Sequence, residues 1–223
     1  MENKVGLPVL GARLPELKVT TTHGEMTLPD DLKGQWFVLF SHPADFTPVC
    51  TTEFVSLAAA HDEFLAMNTE LVGLSVDAVT AHIKWTEWIK DNMGQEITFP
   101  IIADSLGRVA FELGMIHEAK GTDTVRAVFI VDADGNLRTM MYYPQEAGRS
   151  VDEILRTVKA LQYADKNKVA MPENWPNNAR MGDDVIIPPA KTEAAAQKNR
   201  EEMKNNKDVD YKDWWFISKP MDK

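Results

Sequence analysis

Cysteine occurs once in this sequence, as Cys50, inside Ser41-His42-Pro43-Ala44-Asp45-Phe46-Thr47-Pro48-Val49-Cys50-Thr51-Thr52-Glu53-Phe54. The short apolar run Gln35 to Phe40 precedes it and reads as a buried strand. Phe54, Leu57, Ala58, Leu65 and Met67 follow at roughly helical spacing, which predicts a helix through 52–67. The thiol therefore lies where a strand turns into a helix. Thr47-Pro48 reads as an N-cap followed by proline at the first helical position. Cys50 is then third in the helix, with the Thr47 hydroxyl placed to accept from its backbone N–H. Unpaired N–H groups and the positive end of the helix dipole both favour a thiolate. A lone cysteine is commonly a small buried hydrophobe. The strand end, the two prolines, the cap and a polar flank of His42, Asp45 and Glu53 point instead to a nucleophile.

The elements that must hold this stretch are legible on both sides. Leu17 to Thr22 alternates, turns at His23-Gly24-Glu25 and continues as Met26-Thr27-Leu28, a hairpin pattern. A second buried strand is expected over 70–76 and a helix over 80–92, with Ile83, Trp85, Trp88 and Ile89 as its apolar positions. A short strand or extended segment at 99–103 and a short helix at 106–113 follow. Strands are expected at 126–131 and 137–143, joined by an Asp134-Gly135 turn, then a helix at 150–164. This order implies an α/β fold, a central mixed sheet flanked by helices. After about residue 165 the composition changes. Residues 165–180 should be extended, 183–187 a strand, and 192–205 a polar, alanine-rich helix before Asp213-Trp214-Trp215-Phe216. The expected division is thus a main domain over 1–164 and an extension over 165–223. The extension is too poor in core residues to stand alone easily, so it should pack on the main domain or on another subunit.

The chain has 223 residues and a net charge of −10, which argues against a nucleic-acid partner and against an anionic membrane surface. No run approaches the length of a membrane-spanning helix. Met1-Glu2-Asn3-Lys4 lacks the basic start and apolar core of a signal peptide, and one cysteine cannot form an internal disulfide. A reducing, cytoplasmic location is expected. The five histidines show no His-x-x-x-His spacing and no carboxylate cluster beside it, and no glycine-rich phosphate loop occurs. Neither a metal nor a cofactor is expected.

Pro43-x-x-x-Thr47-x-x-Cys50 resembles the active-site signature of the peroxiredoxins, and the thirteen residues Ser41 to Glu53 resemble the subfamily of one-cysteine and archaeal-type members. The resemblance extends over nearly the whole chain. It implies a thioredoxin-like fold with peroxiredoxin insertions and a C-terminal extension in dimer contacts. It also implies a thiol-dependent peroxidase acting on hydrogen peroxide and small organic hydroperoxides. In that picture the Cys50 thiolate becomes a sulfenic acid, Pro43 shields it, and Thr47 supplies a hydroxyl that donates and accepts. Thr124-Val125-Arg126-Ala127-Val128 resembles the family segment carrying the active-site arginine, which implies that role for Arg126. Arg149 matches a second arginine of the subfamily. Glu53, on the helical face of Cys50, is placed to orient an arginine or to be a surface carboxylate. His42 matches the subfamily's histidine near the thiol, either as a partner of the sulfur or as a structural residue.

Archaeal-type relatives carry two cysteines around an Asp-Trp-Trp-Phe stretch. Here Tyr211, Lys212, Ile217 and Ser218 surround it, so an external thiol must complete the cycle, whether thioredoxin-like, glutaredoxin-like or a small thiol. A homodimer or a ring of dimers is expected. A disulfide oxidoreductase would want Cys-x-x-Cys, and position 47 is Thr. The remaining alternative is an oligomeric holdase chaperone of the peroxiredoxin type.

Overall fold

The computed structural model describes residues 8–117, 119 and 121–221; the reading of Met1 to Lys4 lies outside them. Two compact units divide at 151/152. The first contains a seven-stranded sheet in the order β2-β1-β5-β4-β3-β6-β7. Its strands are β1 Leu17–Thr21, β2 Gly24–Leu28, β3 Trp36–Ser41, β4 Thr69–Ser75, β5 Ile101–Ala103, β6 Arg126–Val131 and β7 Leu137–Tyr143. β3, β4 and β5 run parallel, and β6 pairs antiparallel with β3. The expected hairpin β1–β2 joins the sheet by pairing Thr21 with Ile102 of β5.

β3 is buried on both faces, which is why its sequence is a continuous apolar run rather than an alternation. One face of the sheet packs Phe37, Leu39, Val72, Leu74, Ala127 and Phe129 into a core with Val109, Leu113 and Met115. On the opposite alternation, Phe40 meets Phe54 and Phe99 edge-on at ring separations of 5.4 and 5.7 Å, and Phe54 lies 4.6 Å from Trp85. This aromatic cluster ties β3 to two helices, α1 Pro48–Ala59 and α3 Val79–Met93. It sets the height at which the first turn of α1 stands above the sheet end.

Several expectations need correction. The helix expected over 52–67 is two, α1 and α2 His61–Ala66, broken at Ala60. The buried stripe of α3 is His82, Trp85 and Ile89, spaced i, i+3, i+7, while Ile83 and Trp88 are exposed. A histidine occupies a place where only apolar residues had been expected. α4 shrinks to Arg108–Glu112, capped by the Asp104 carboxylate, which accepts from the N–H groups of Arg108 and Ala110.

The second unit contains all but the first residue of α5 Val151–Asn167, together with α6 Glu193–Glu202 and the strands β8 Val185–Ile187, β9 Asp210–Asp213 and β10 Phe216–Lys219. α5 continues past its expected end to Asn167. The Thr192 hydroxyl caps α6 by accepting from the N–H of Ala195 at 3.2 Å. The tail expected only as an apolar cluster is a hairpin, and β10 lies between β8 and β9. Trp175 is buried and donates its indole N–H to Asp183 O at 2.9 Å. No helix among the described residues is long and apolar enough to cross a membrane.

Candidate active site

Thr47 takes the N-cap position of α1, extended at φ −110°, ψ 143°, and Pro48 opens the helix. Cys50 is therefore the third helical residue, with Sγ in the first turn and the side chain fully buried. The cap itself differs from expectation. The Thr47 hydroxyl makes no capping bond but donates to Ala44 O at 2.8 Å, across the turn between β3 and α1. That turn carries Phe46 at φ +56°, a left-handed conformation costly for a bulky residue.

Opposite the sulfur stands Arg126, the first residue of β6, with Nη1 3.3 Å from Cys50 Sγ. Its Nε and Nη2 donate to Gln145 O at 3.0 and 2.8 Å, and Nη1 also donates to Glu53 Oε2 at 2.7 Å. Glu53, one turn after Cys50, accepts from a second arginine. Arg149 donates to it through the backbone N, Nε and Nη2 at 2.8, 2.9 and 2.7 Å. Arg149 Nη1 reaches Ser41 O at 2.7 Å and Ala127 O at 2.8 Å, so one guanidinium clamps α1 to the ends of β3 and β6. Ser41 strengthens the same junction by accepting from the N–H of Ala127 and donating to Val125 O. Burial alone would push the Glu53 carboxyl up. The hydrogen bonds and charge of Arg149, with the charge of Arg126, outweigh it and hold Glu53 below its ordinary range. Two cations on one anion leave the cluster net positive beside the thiol.

His42 is brought to the neighbourhood but not to the sulfur. Its ring is fully buried, stacked 5.2 Å from Trp85 and edge-on to Phe54 at 4.7 Å. Nε2 lies 2.8 Å from Asp45 Oδ1, and Nδ1 has no hydrogen-bond partner in the protein. Asp45 Oδ2 lies 2.8 Å from Nδ1 of His82, whose Nε2 lies 3.2 Å from Ile102 O. Histidine and carboxylate atoms of these three residues fall within 4.8 Å of one another, a cluster that the histidine spacing had not suggested. His42 and His82 stand on different elements and meet only through the fold. The N···O separations within it are those of hydrogen bonds, so these atoms share protons. Sequence reasoning missed His82 as a site neighbour; a polar residue at a core position of an amphipathic helix was the available signal.

Comparison with known proteins decides the family. Residues 10–140 match the AhpC/TSA family, and 160–203 match the C-terminal domain of 1-Cys peroxiredoxin. Peroxiredoxin 1 of Caldanaerobacter subterraneus is 60% identical over 96% of this chain and 100% of the relative. A peroxiredoxin of Archaeoglobus fulgidus is 61% identical over 95% of this chain and 98% of the relative. The chain belongs to the peroxiredoxins. Among solved structures, a yeast mitochondrial 1-Cys peroxiredoxin superposes with a TM-score of 0.83 at 36% identity, covering 96% of this chain and all of the other. A cysteine-to-serine mutant of the Arenicola marina peroxiredoxin 6 does so with a TM-score of 0.82 at 32% identity, covering 96% of this chain and 99% of the other. The fold is thioredoxin-like, as in these peroxiredoxins, and the enzyme is a thiol peroxidase, an oxidoreductase.

Proposed function

We propose that Cys50 is the peroxidatic thiolate and that hydrogen peroxide and small organic hydroperoxides are its substrates. The observation that carries the reading is Arg126 Nη1 at 3.3 Å from the only sulfur of a cysteine in the chain, held by Glu53 and Gln145. The thiolate attacks the terminal oxygen, the S–O bond forms, and the O–O bond breaks. The leaving oxygen departs as hydroxide or alkoxide and takes a proton from solvent, while Cys50 becomes a sulfenic acid. Arg126 is placed to stabilise charge as the O–O bond lengthens. The Thr47 hydroxyl has committed its hydrogen to Ala44 O, so its lone pairs are left to accept from the peroxide O–H. Pro43 precedes that turn and shields the thiolate. Glu53 and Arg149 hold Arg126 and the strand ends in place. Full burial of Cys50 favours small peroxides over bulky ones.

No second cysteine exists to condense with the sulfenic acid. An external thiol attacks it, releasing water and leaving a mixed disulfide, and a second thiol restores Cys50. The yeast relative is described as resolved through glutathione and thioredoxin systems, which supports a small thiol or a thioredoxin-like reductant here. The extension over 165–223 is read as a dimer contact, with a ring of dimers as the larger assembly. The holdase alternative draws on no observation of this chain. Intact mass after one equivalent of peroxide tests the reading. A gain of one oxygen that disappears in Cys50→Ser is expected, and excess peroxide without thiol should add two or three oxygens. An unchanged mass would sink it.

A further inference from the structure

The second buried cluster, His42–Asp45–His82, has no part in the peroxide chemistry just described, yet it pins the same turn. Its protons can be counted. Ile102 O only accepts, so His82 Nε2 carries a hydrogen. Nδ1 of the same ring lies 2.8 Å from Asp45 Oδ2. A neutral ring already protonated at Nε2 would bring a lone pair against the carboxylate, so a further hydrogen lies between them. His42 Nε2 donates to the other oxygen, Oδ1.

The extra proton has three places to go. Burial would raise Asp45, but the bonds from His42 and His82 outweigh it and hold the carboxyl below its ordinary range, so it stays ionised. On His42 the proton would enter at Nδ1, where the protein offers no acceptor. Burial lowers His42, the carboxylate of Asp45 only partly offsets this, and the charges of His82 and Arg149 oppose a cation there. His82 remains, with an acceptor at each nitrogen. One cation, one anion and one neutral ring make the buried cluster neutral, which desolvation demands. Asp45 is also fixed through its backbone N–H, which donates to Asp77 Oδ2 at 3.0 Å.

We propose that His82 is a positioning residue for the peroxidatic turn: it carries the proton that neutralises Asp45, and so keeps His42 a neutral Nε2–H ring with Nδ1 as a free acceptor. This rests on the peroxidase reading for its consequence but not for the proton assignment. An imidazolium at 42 would lie beside Ser41, whose carbonyl anchors Arg149, and would push against that guanidinium.

Nitrogen-15 NMR of the histidine rings in the full chain reads the assignment directly. Wild type should show His82 protonated at both nitrogens and His42 at Nε2 alone. In His82→Phe the buried carboxylate must find its proton elsewhere, so His42 Nδ1 should move to an N–H signal and peroxide consumption should slow. Adding Asp45→Asn removes the anion, so the double variant should return His42 to the neutral ring and recover the lost rate. A merely structural role makes the double variant no better than the single one. His82→Gln makes the same prediction and serves if the phenylalanine variant does not fold. A neutral His42 in the single variants, an unchanged rate, or a double variant without recovery would each overturn the proposal. If wild type consumes no peroxide, the peroxidase reading fails, while the ring spectra still decide where the proton lies.

Discussion

Glu53 and Asp45 are buried carboxylates on either side of Cys50, each held by two basic side chains. Around Glu53 the partners are Arg126 and Arg149, whose guanidiniums stay charged at every accessible pH. Around Asp45 they are His42 and His82, whose charge is a matter of which ring holds a proton. The first cluster therefore keeps a fixed positive excess, which suits stabilising a thiolate and a leaving oxygen. The second is neutral, and its hydrogen bonds depend on which ring holds the proton, since His82 has an acceptor at each nitrogen and His42 Nδ1 has none in the protein. One acid–base motif thus gives a constant field in one place and a proton-dependent clamp in the other.

Replacing each acid by its amide breaks this comparison most sharply on the arginine side. Glu53→Gln leaves two buried guanidiniums without a counter-charge, and breaking a buried ion pair this way costs about 3–5 kcal/mol. Chemical denaturation should show that loss, and a midpoint near wild type would mean the pair is not the clamp described. Arg126→Met should come next, acting on rate rather than stability. Losing one preorganised donor typically costs about 3 kcal/mol in the barrier, roughly a hundredfold in peroxide attack by stopped flow. A change of only a few-fold would remove Arg126 from the chemistry.

The pH dependence separates the clusters further. His42 sits below its ordinary value of 6.5 when folded, so the unfolded chain takes up its proton first as pH falls. Stability contributed by the neutral ring is complete above pH 6.5 and should decline below it towards the folded value. Glu53 and Asp45 are also lowered, and their contributions are complete above their ordinary values of 4.5 and 3.8 and are lost only below these. A His42→Phe variant should lack the first part of the decline, the part that begins just below pH 6.5, and keep the acid part. An unaltered slope in that range would place the titration elsewhere. The smallest effect is expected from Asp45→Asn alone. The amide oxygen can accept from His42 Nε2–H and the amide N–H can donate to His82 Nδ1, so every bond survives. Denaturation should differ by less than about 1 kcal/mol, within the range of an ordinary hydrogen-bond change. A loss as large as that in Glu53→Gln would erase the distinction between the two clusters.

What the sequence by itself determined is what depends on neighbours along the chain. An apolar run bounded by polar residues makes β3. Thr47 followed by Pro48 starts α1, because proline fixes φ and needs no N–H there. Cys50 must then fall in the first helical turn, and the thirteen residues from Ser41 to Glu53 are specific enough to carry the family. The resemblance also named Arg126 and Arg149, although nothing local says where their side chains end. Only the tertiary structure decided that both arginines converge on Glu53, since the three residues come from different elements joined by the β3–β6 pairing. It decided that the Thr47 hydroxyl turns back to donate to Ala44 O rather than accepting from a backbone N–H of the first helical turn, a choice between a local acceptor and a local donor that sequence leaves open. It turned the aromatic tail into a hairpin, with Trp214 and Trp215 at the turn and Phe216 opening β10, which lies between β8 and β9. And it placed His82 on the buried stripe of α3, where a ring remote in sequence meets Asp45. Helical period fixes which residues share a face, but only packing fixes which face turns inward.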